Sequence, residues 1–408
     1  MHKWLFASRF RRNAFGWKSQ PPIQRIKEAL SEIKLIARSQ PVLAAEGAVL
    51  FIEKLSPSLE QVDGSSGAIG AAVNRAIEVL VPLIAAAEVD QDTRKKWLER
   101  LWAAVEADEI PYIESIIEFW GELCGSPAIA SVNADIFLPT VIYMWSQRPD
   151  ARSYYKGTGA CLSCLFSAGR HDELLALLEK APFKWWGERR WGVKSLLALG
   201  RKSEAVQYAE DSRGLNAPVA AIAAACEEIL LDLGNSEDAY KRYALLANIR
   251  TTNLGTYRAI AKKYSDKSPS EILDNLVASQ PGSEGKWFAA AKDAGLFDYA
   301  ISLAVRSPAD PETLIRASKE FRESQPAFAY AAGMLALKFL LQGLGFDITY
   351  SDVTDAFDAV IAAAEISGTD TSLVRQEIIS LIDAPSANSV FVKKSLARYL
   401  EISARSSA

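Results

Sequence analysis

The sequence predicts an all-α protein, an α-solenoid of stacked helical hairpins flanked by irregular helical regions. Three observations carry this. No segment keeps a two-residue apolar alternation, whereas apolar residues recur at helical spacing throughout. One turn pattern returns four times: Gly169-Arg-His-Asp-Glu-Leu174, Gly200-Arg-Lys-Ser-Glu-Ala205, Gly234-Asn-Ser-Glu-Asp-Ala239 and Gly295-Leu-Phe-Asp-Tyr-Ala300. The first two gaps are 31 and 34 residues, and the last, 61, spans about two periods.

The chain opens with a basic, aromatic arm, residues 1–22. Lys3, Arg9, Arg11, Arg12 and Lys18 alternate with Trp4, Phe6, Phe10, Phe15 and Trp17, without an acid. A secretory signal would need a longer apolar run. The arm is either poorly ordered or docked on the helices; contact with a membrane surface through residues 1–18, or with nucleic acid, would use the same residue types. Pro21-Pro22 then starts a helix.

Residues 23–150 form an irregular helical domain, with helices near 22–38, 41–55, 68–87, 92–107, 110–124 and 130–146. Asp92 or Thr93 and Pro111 mark two of the starts. Gly64-Ser-Ser-Gly67 with Gly70 has the composition of a phosphate cradle. No Lys-Ser or Lys-Thr pair follows it and no strand precedes it, so it is an interhelical loop.

Residues 151–307 hold the repeats. A Gly just past a helix adopts the left-handed conformation at little cost, and Asp, Ser or Glu then suits the first turn of the next helix. The small residue five positions after the Gly (Ala205, Ala239, Ala300, with Leu174 in the first copy) lets the paired helices approach closely. A weaker copy lies at Ser265-Asp-Lys-Ser-Pro-Ser-Glu271. Hairpins this short cannot bury their apolar stripes alone, so they stack.

Residues 308–408 form a C-terminal capping region. Helices are predicted at 311–323, 326–342, 352–367, 370–383 and 387–403, with Ser351 capping the third and the amphipathic stretch Val390–Ile402 closing the stack.

Period and Gly-to-Ala spacing resemble tetratricopeptide-type repeats, in degenerate form because most aromatic and proline positions of that consensus are missing. The chain is also similar to a family of uncharacterised bacterial α-solenoid proteins through Ala44-Ala-Glu-Gly-Ala-Val-Leu-Phe51, Glu210-Asp-Ser-Arg-Gly-Leu-Asn216, Gly285-Lys-Trp-Phe-Ala-Ala-Ala-Lys-Asp293 and Asp310-Pro-Glu-Thr-Leu314. That resemblance implies a bacterial, soluble, helical protein and brings no activity or catalytic residue.

Bulk properties agree. At 408 residues, two or three domains or one elongated solenoid are expected. Apolar content of 49 % and charged content of 24 % suit a soluble fold, and a net charge of −4 argues against a polyanion binder acting through its whole surface. Four Cys are too few for a disulfide framework, so a cytoplasmic location is expected. The longest apolar candidate, Phe328–Leu341, contains Lys338 and reads as a buried helix, so no transmembrane segment is expected.

Catalytic chemistry is sparse. The two His, His2 in the arm and His171 in a turn, leave no His-based triad or His-pair zinc site. Cys161 and Cys164 lie inside a predicted helix, Tyr155–Ser167, with no preceding strand; small core residues explain them better than a redox pair. The carboxylate groups Glu106, Asp108 and Glu109, Glu227 and Glu228, and Asp352, Asp355 and Asp358 fit solvated helix faces, N-caps and i,i+3 or i,i+4 neighbours of basic residues. We therefore expect no enzyme, no metal and no cofactor.

The most suggestive stretch is Lys184-Trp-Trp-Gly-Glu-Arg-Arg-Trp-Gly-Val-Lys194, at the start of a first helix. First helices of stacked hairpins line the concave face, where partners bind. Tyr155, Lys156, Trp185, Arg189, Arg190, Lys194, Tyr257, Arg258 and Lys262 are the candidate partner-binding residues. Trp185, Trp186 and Trp191 are either inter-repeat core or groove. A basic aromatic groove would take an acidic segment of a protein or peptide partner. The alternative is a polyanion, RNA or DNA, stacked on the Trp faces.

Overall fold

The computed structural model describes residues 2–148, 154–214 and 217–400. The protein is all-α, with 71 % helix and no strand among the described residues. Its contacts divide it into two compact units, one ending at Ile229 and the other beginning at Leu230.

The first unit holds α1 (Leu5–Arg9), α2 (Gln20–Ala37), α3 (Pro41–Leu59), α4 (Ala68–Ala85), α5 (Gln91–Glu106), α6 (Trp120–Leu123) and α7 (Pro127–Ser146). It continues with α8 (Gly157–Ser167), α9 (His171–Leu178), α10 (Trp186–Ala198) and α11 (Lys202–Glu210). The division falls inside α12 (Val219–Asp232). The second unit holds α13 (Ser236–Ala247), α14 (Asn253–Lys263), α15 (Pro269–Ala278), α16 (Phe288–Asp293) and α17 (Phe297–Arg306). It ends with α18 (Pro311–Phe321), α19 (Pro326–Leu341), α20 (Tyr350–Ile366), α21 (Thr371–Asp383) and α22 (Ser389–Leu396). Within each unit, helices pack mainly on their neighbours in sequence. The expected boundary at 150/151, Leu215 and Asn216 of a quoted motif, and residues 401–403 of the last predicted helix lie outside the described residues.

The recurring turn has a single construction. Gly169, Gly200, Gly234 and Gly295 have φ between +73° and +77°. After each, the next N–H donates five residues back: Arg170 to Leu165 O, Arg201 to Leu196 O, Asn235 to Leu230 O and Leu296 to Ala291 O, at 2.8–3.0 Å. This is the Schellman closure, which satisfies carbonyls that the helix end would leave unpaired. Leu174, Ala205, Ala239 and Ala300 are all fully buried, so the fifth position meets the preceding helix as its size requires.

The N-terminal arm is docked, not loose. Trp4, Phe6 and Phe10 are buried, Phe6 and Phe10 edge-on to Phe51 at 5.2 and 4.9 Å. The Trp4 ring lies over Gly47 of α3, leaving no room there for a Cβ. The carboxylate of Glu32 accepts the N–H groups of Leu5 and Phe6 at 2.7 and 3.1 Å, and Arg9 pairs with Glu28 at 2.6 Å. The arm therefore packs inside the first unit, and two of its basic residues, Arg9 and Arg12, meet Glu28 on α2 and Glu60 at the end of α3.

Four local expectations are corrected. The predicted helix 110–124 is a 3-10 turn, Glu114–Phe119, leading into α6. Its geometry is tertiary: buried Asp108 accepts the Ser56 hydroxyl and the Ile113 N–H, and Gly121 donates to Ser163 Oγ at 3.0 Å. Asp108 is thus internal, not on a solvated face. Asp90, not Asp92 or Thr93, caps α5, accepting from Thr93 N at 2.8 Å. Thr349 caps α20 in a reciprocal box with Asp352, displacing Ser351 from that role.

Arg94 ties the first unit together from within. It is buried and donates to the carbonyls of Ile84 and Ala87, both at 2.6 Å, Leu123 at 3.2 Å and Ala85 at 3.3 Å. These carbonyls lie at and just past the ends of α4 and α6, where the helix ladder leaves acceptor capacity. Burial lowers its pKa, and carbonyl dipoles take the place of a counter-ion. In the second unit an aromatic cluster, Phe288, Phe297, Phe321 and Phe328, joins α16, α17, α18 and α19 at ring separations of 4.9–5.9 Å.

By length and composition α4 and α7 are apolar enough to cross a membrane, which the focus on Phe328–Leu341 missed. α4 sends Ile69, Val73, Ile77, Leu80 and Ile84 into the core. α7 buries only Ala130, Ala134, Phe137 and Val141.

Candidate functional site

The stretch 184–194 is built by a helix start. Trp185 is the extended N-cap of α10, and the next turns place Glu188, Arg190, Trp191 and Lys194. The three Trp divide cleanly. Trp185 is 69 % exposed, Trp186 is half-buried, and Trp191 is buried against Phe166 at 5.6 Å. Tyr154, just before α8, is 71 % exposed. Its hydroxyl donates to Glu114. Desolvation, then that hydrogen bond and the nearby charges of Glu114, Glu118 and Glu188, raise its pKa. Tyr154 and the start of α10 therefore share one surface, walled by the 3-10 turn Glu114–Phe119.

Arg190 and Lys156 on this surface have acidic neighbours, and Lys194 lies against a ring. Arg190 meets Glu118 at 2.6 Å and donates to Gly187 O at 3.1 Å. The Lys194 ammonium sits 4.3 Å from the Trp191 ring centre, and burial lowers its pKa, with Arg190 adding to the effect. Lys156 donates to Val105 O at 2.7 Å and Asp108 O at 3.1 Å, closing the C-terminal end of α5, with Glu114 at 3.9 Å. Glu188 has no such partner, and burial pushes its carboxyl up to about 7.

Arg189 points the other way. It is 5 % exposed, donates to Ser212 Oγ at 2.8 Å and Tyr208 O at 3.3 Å, and lies 3.5 Å from the Tyr208 ring centre. The structure places this candidate binding residue inside the fold, as a strut between α10 and α11. Tyr155 is half-buried, its ring packed on Gly157. Among the candidates in the second unit, Tyr257 is buried, Arg258 pairs with both carboxylate oxygens of Asp293, and Lys262 is exposed.

The surface is thus aromatic with balanced charge, where the sequence suggested a basic groove. Glu114 and Glu118 were not legible as members of it, because the 3-10 turn that carries them lies some seventy residues away in sequence. Sequence reasoning also missed Glu188, which stands inside the motif but was outvoted by its basic neighbours.

Cys161 and Cys164 sit inside α8, fully buried, and Cys164 makes a thiol contact with Cys124. Burial pushes Cys161 up to about 12, and the hydrogen bond with Cys124, together with burial, raises Cys164, so neither is a ready thiolate. His171 starts α9, its ring 5.3 Å from Phe166. Among the described residues no group of three His, Cys, Asp or Glu could hold a metal ion. Comparison with protein-family models and with curated proteins returns no match to this chain.

Proposed function

We propose that the chain is a non-enzymatic interaction scaffold of the cytoplasm, built from degenerate tetratricopeptide-like hairpins, that binds a segment of a protein partner. The observation that carries this reading is the pair of exposed aromatics, Tyr154 and Trp185, on a surface whose charges are already balanced. Large aromatic side chains left in water beside fixed charges suit an anchor for a partner side chain. Because Glu118 and Glu114 occupy Arg190 and Lys156, the favoured ligand is a mixed-charge or apolar segment and not a strongly acidic one. The polyanion alternative loses support for the same reason: Arg189 is internal, and the arm's Trp4, Phe6 and Phe10 are buried.

The test is affinity capture of the tagged chain from its host cell, with nuclease and at two salt concentrations, using wild type and Tyr154→Ala/Trp185→Ala. A stoichiometric protein that survives nuclease and salt with wild type and is lost with the variant supports the scaffold. Recovery of nucleic acid, with all proteins lost after nuclease, refutes it.

A further inference from the structure

One helix of the first unit is covered on one side only. α7 buries a single narrow face and leaves a stripe in water: Ala128, Val132, Ile136, Pro139 and Tyr143, with Ile142 at its edge. Val132, Ile136 and Tyr143 are each at least 60 % exposed. Helical rise makes the stripe about 22 Å long. Beside it runs a groove of 440 Å³ between α5 and α7, with Trp102, Trp120 and Phe137 as its floor and Asp92, Lys95 and Glu99 on its rim. Single exposed apolar residues are ordinary; a continuous four-turn stripe next to an aromatic groove marks an interaction surface.

Length and charge decide what fits. The groove ends near Phe137, so a small ligand filling it would leave Ile142 and Tyr143 wet, whereas a helix covers the whole stripe. An anionic bilayer suits it poorly, because the charges at the groove are largely acidic: Asp92 and Glu99 against Lys95 on the rim, with Glu88 at the adjoining end. α7 itself carries one charge, Asp135, which Arg170 holds at 2.6 Å.

The stripe is also complementary to itself. Run antiparallel about a point between Asp135 and Ile136, it places Ala128 opposite Tyr143, small against large, and Val132 opposite Pro139, with Ile136 beside the axis. The same placement carries the exposed Arg148, just past α7, to the other copy's α7 start, where Glu88 and Asp92 line the groove end. Like-sized apolar faces with opposite charges at their ends make an isologous contact.

We propose that the protein forms a two-fold homodimer through antiparallel pairing of α7 with α7 of a second copy, each helix lying along the other's α5–α7 groove. This surface is separate from the Tyr154–Trp185 surface and does not depend on the function proposed for it.

The experiment is sedimentation equilibrium of the full chain from 1 to 100 μM, with cross-linking by a short bismaleimide. Wild type is expected to be a dimer. Ile136→Glu should be monomeric with unchanged helicity, since position 136 is already mostly in water. Arg148→Glu should raise the dissociation constant about tenfold, and adding Glu88→Arg and Asp92→Arg to that chain should restore it. Ile136→Cys, near the axis, should cross-link between copies, whereas Ile142→Cys should not; the four native thiols are buried. A monomer across the whole range, binding to vesicles in place of pairing, or a dimer that survives Ile136→Glu overturns the proposal.

Discussion

Glu188→Gln should stabilise the protein, and the gain should depend on pH in a defined way. Burial raises the carboxyl from 4.5 to about 7. Below about pH 4.5 the acid is protonated in folded and unfolded chains alike, and it imposes no differential cost. Between pH 4.5 and 7 the unfolded chain ionises while the folded chain keeps its proton, so stability falls as pH rises. Above pH 7 the full penalty is present, and Gln, a neutral copy of the protonated acid, removes it. A gap of about 2.5 pH units corresponds to about 3.4 kcal/mol at most. Glu188 is only half-buried, so solvent screens part of this, and its place in the first turn of α10 gives its charge some help from the helix dipole. The expected gain is about 1–2 kcal/mol at pH 8. For a unit of this size that is an increase of about 2–8 °C in melting temperature. Thermal unfolding followed by circular dichroism at pH 4, 6 and 8 measures it. Equal melting temperatures at pH 8, or a gain that persists undiminished at pH 4, would refute the argument.

The two adjacent arginines should separate sharply. Arg189→Glu places an unpaired acid where a guanidinium now meets Ser212 and the Tyr208 ring, and should cost about 3 kcal/mol or more in denaturant titration. Arg190→Glu breaks a half-exposed pair with Glu118 and should cost about 1 kcal/mol, so only this variant can test partner binding on an intact fold. Arg94→Met removes the donor shared by four carbonyls and should lose about 3–5 kcal/mol, with Arg94→Lys recovering little, because one ammonium cannot span them. Gly200→Ala, at φ +75° and with no steric neighbour, should cost about 1 kcal/mol and leave the helical spectrum unchanged.

The repeat turns were legible because their causes are local. A Gly that must adopt positive φ, an acid in the following first turn and a small residue five positions on are features of six consecutive residues. All four copies fold by the same hydrogen bond. Most helix spans followed from the same short-range rules. The exceptions had remote causes: the 3-10 turn at Glu114 depends on Ser56, Asp108 and Ser163. The arm looked like a free basic segment because its acidic partners, Glu28, Glu32 and Glu60, are contributed by α2 and by the end of α3.

The candidate surface shows the same limit. The sequence singled out the stretch 184–194, since clustered Trp and Arg at a helix start is a local pattern. It could not say that Trp185 faces water while Trp191 faces Phe166, or that Arg190 faces Glu118 while its neighbour Arg189 faces Ser212. Consecutive residues on a helix point about 100° apart, so which of them is interior depends on where α8, α11 and the Glu114 turn lie.

The sequence by itself determined the helical class, the turn chemistry and the placement of most helices, because hydrogen-bond closure, φ preference and apolar period act over a few residues. Tertiary structure alone decided the charge of the aromatic surface, the interior role of Arg94 and Arg189, and the exposed face of α7. Each of these depends on groups far apart in the chain meeting in a medium where desolvation, not residue type, sets the outcome.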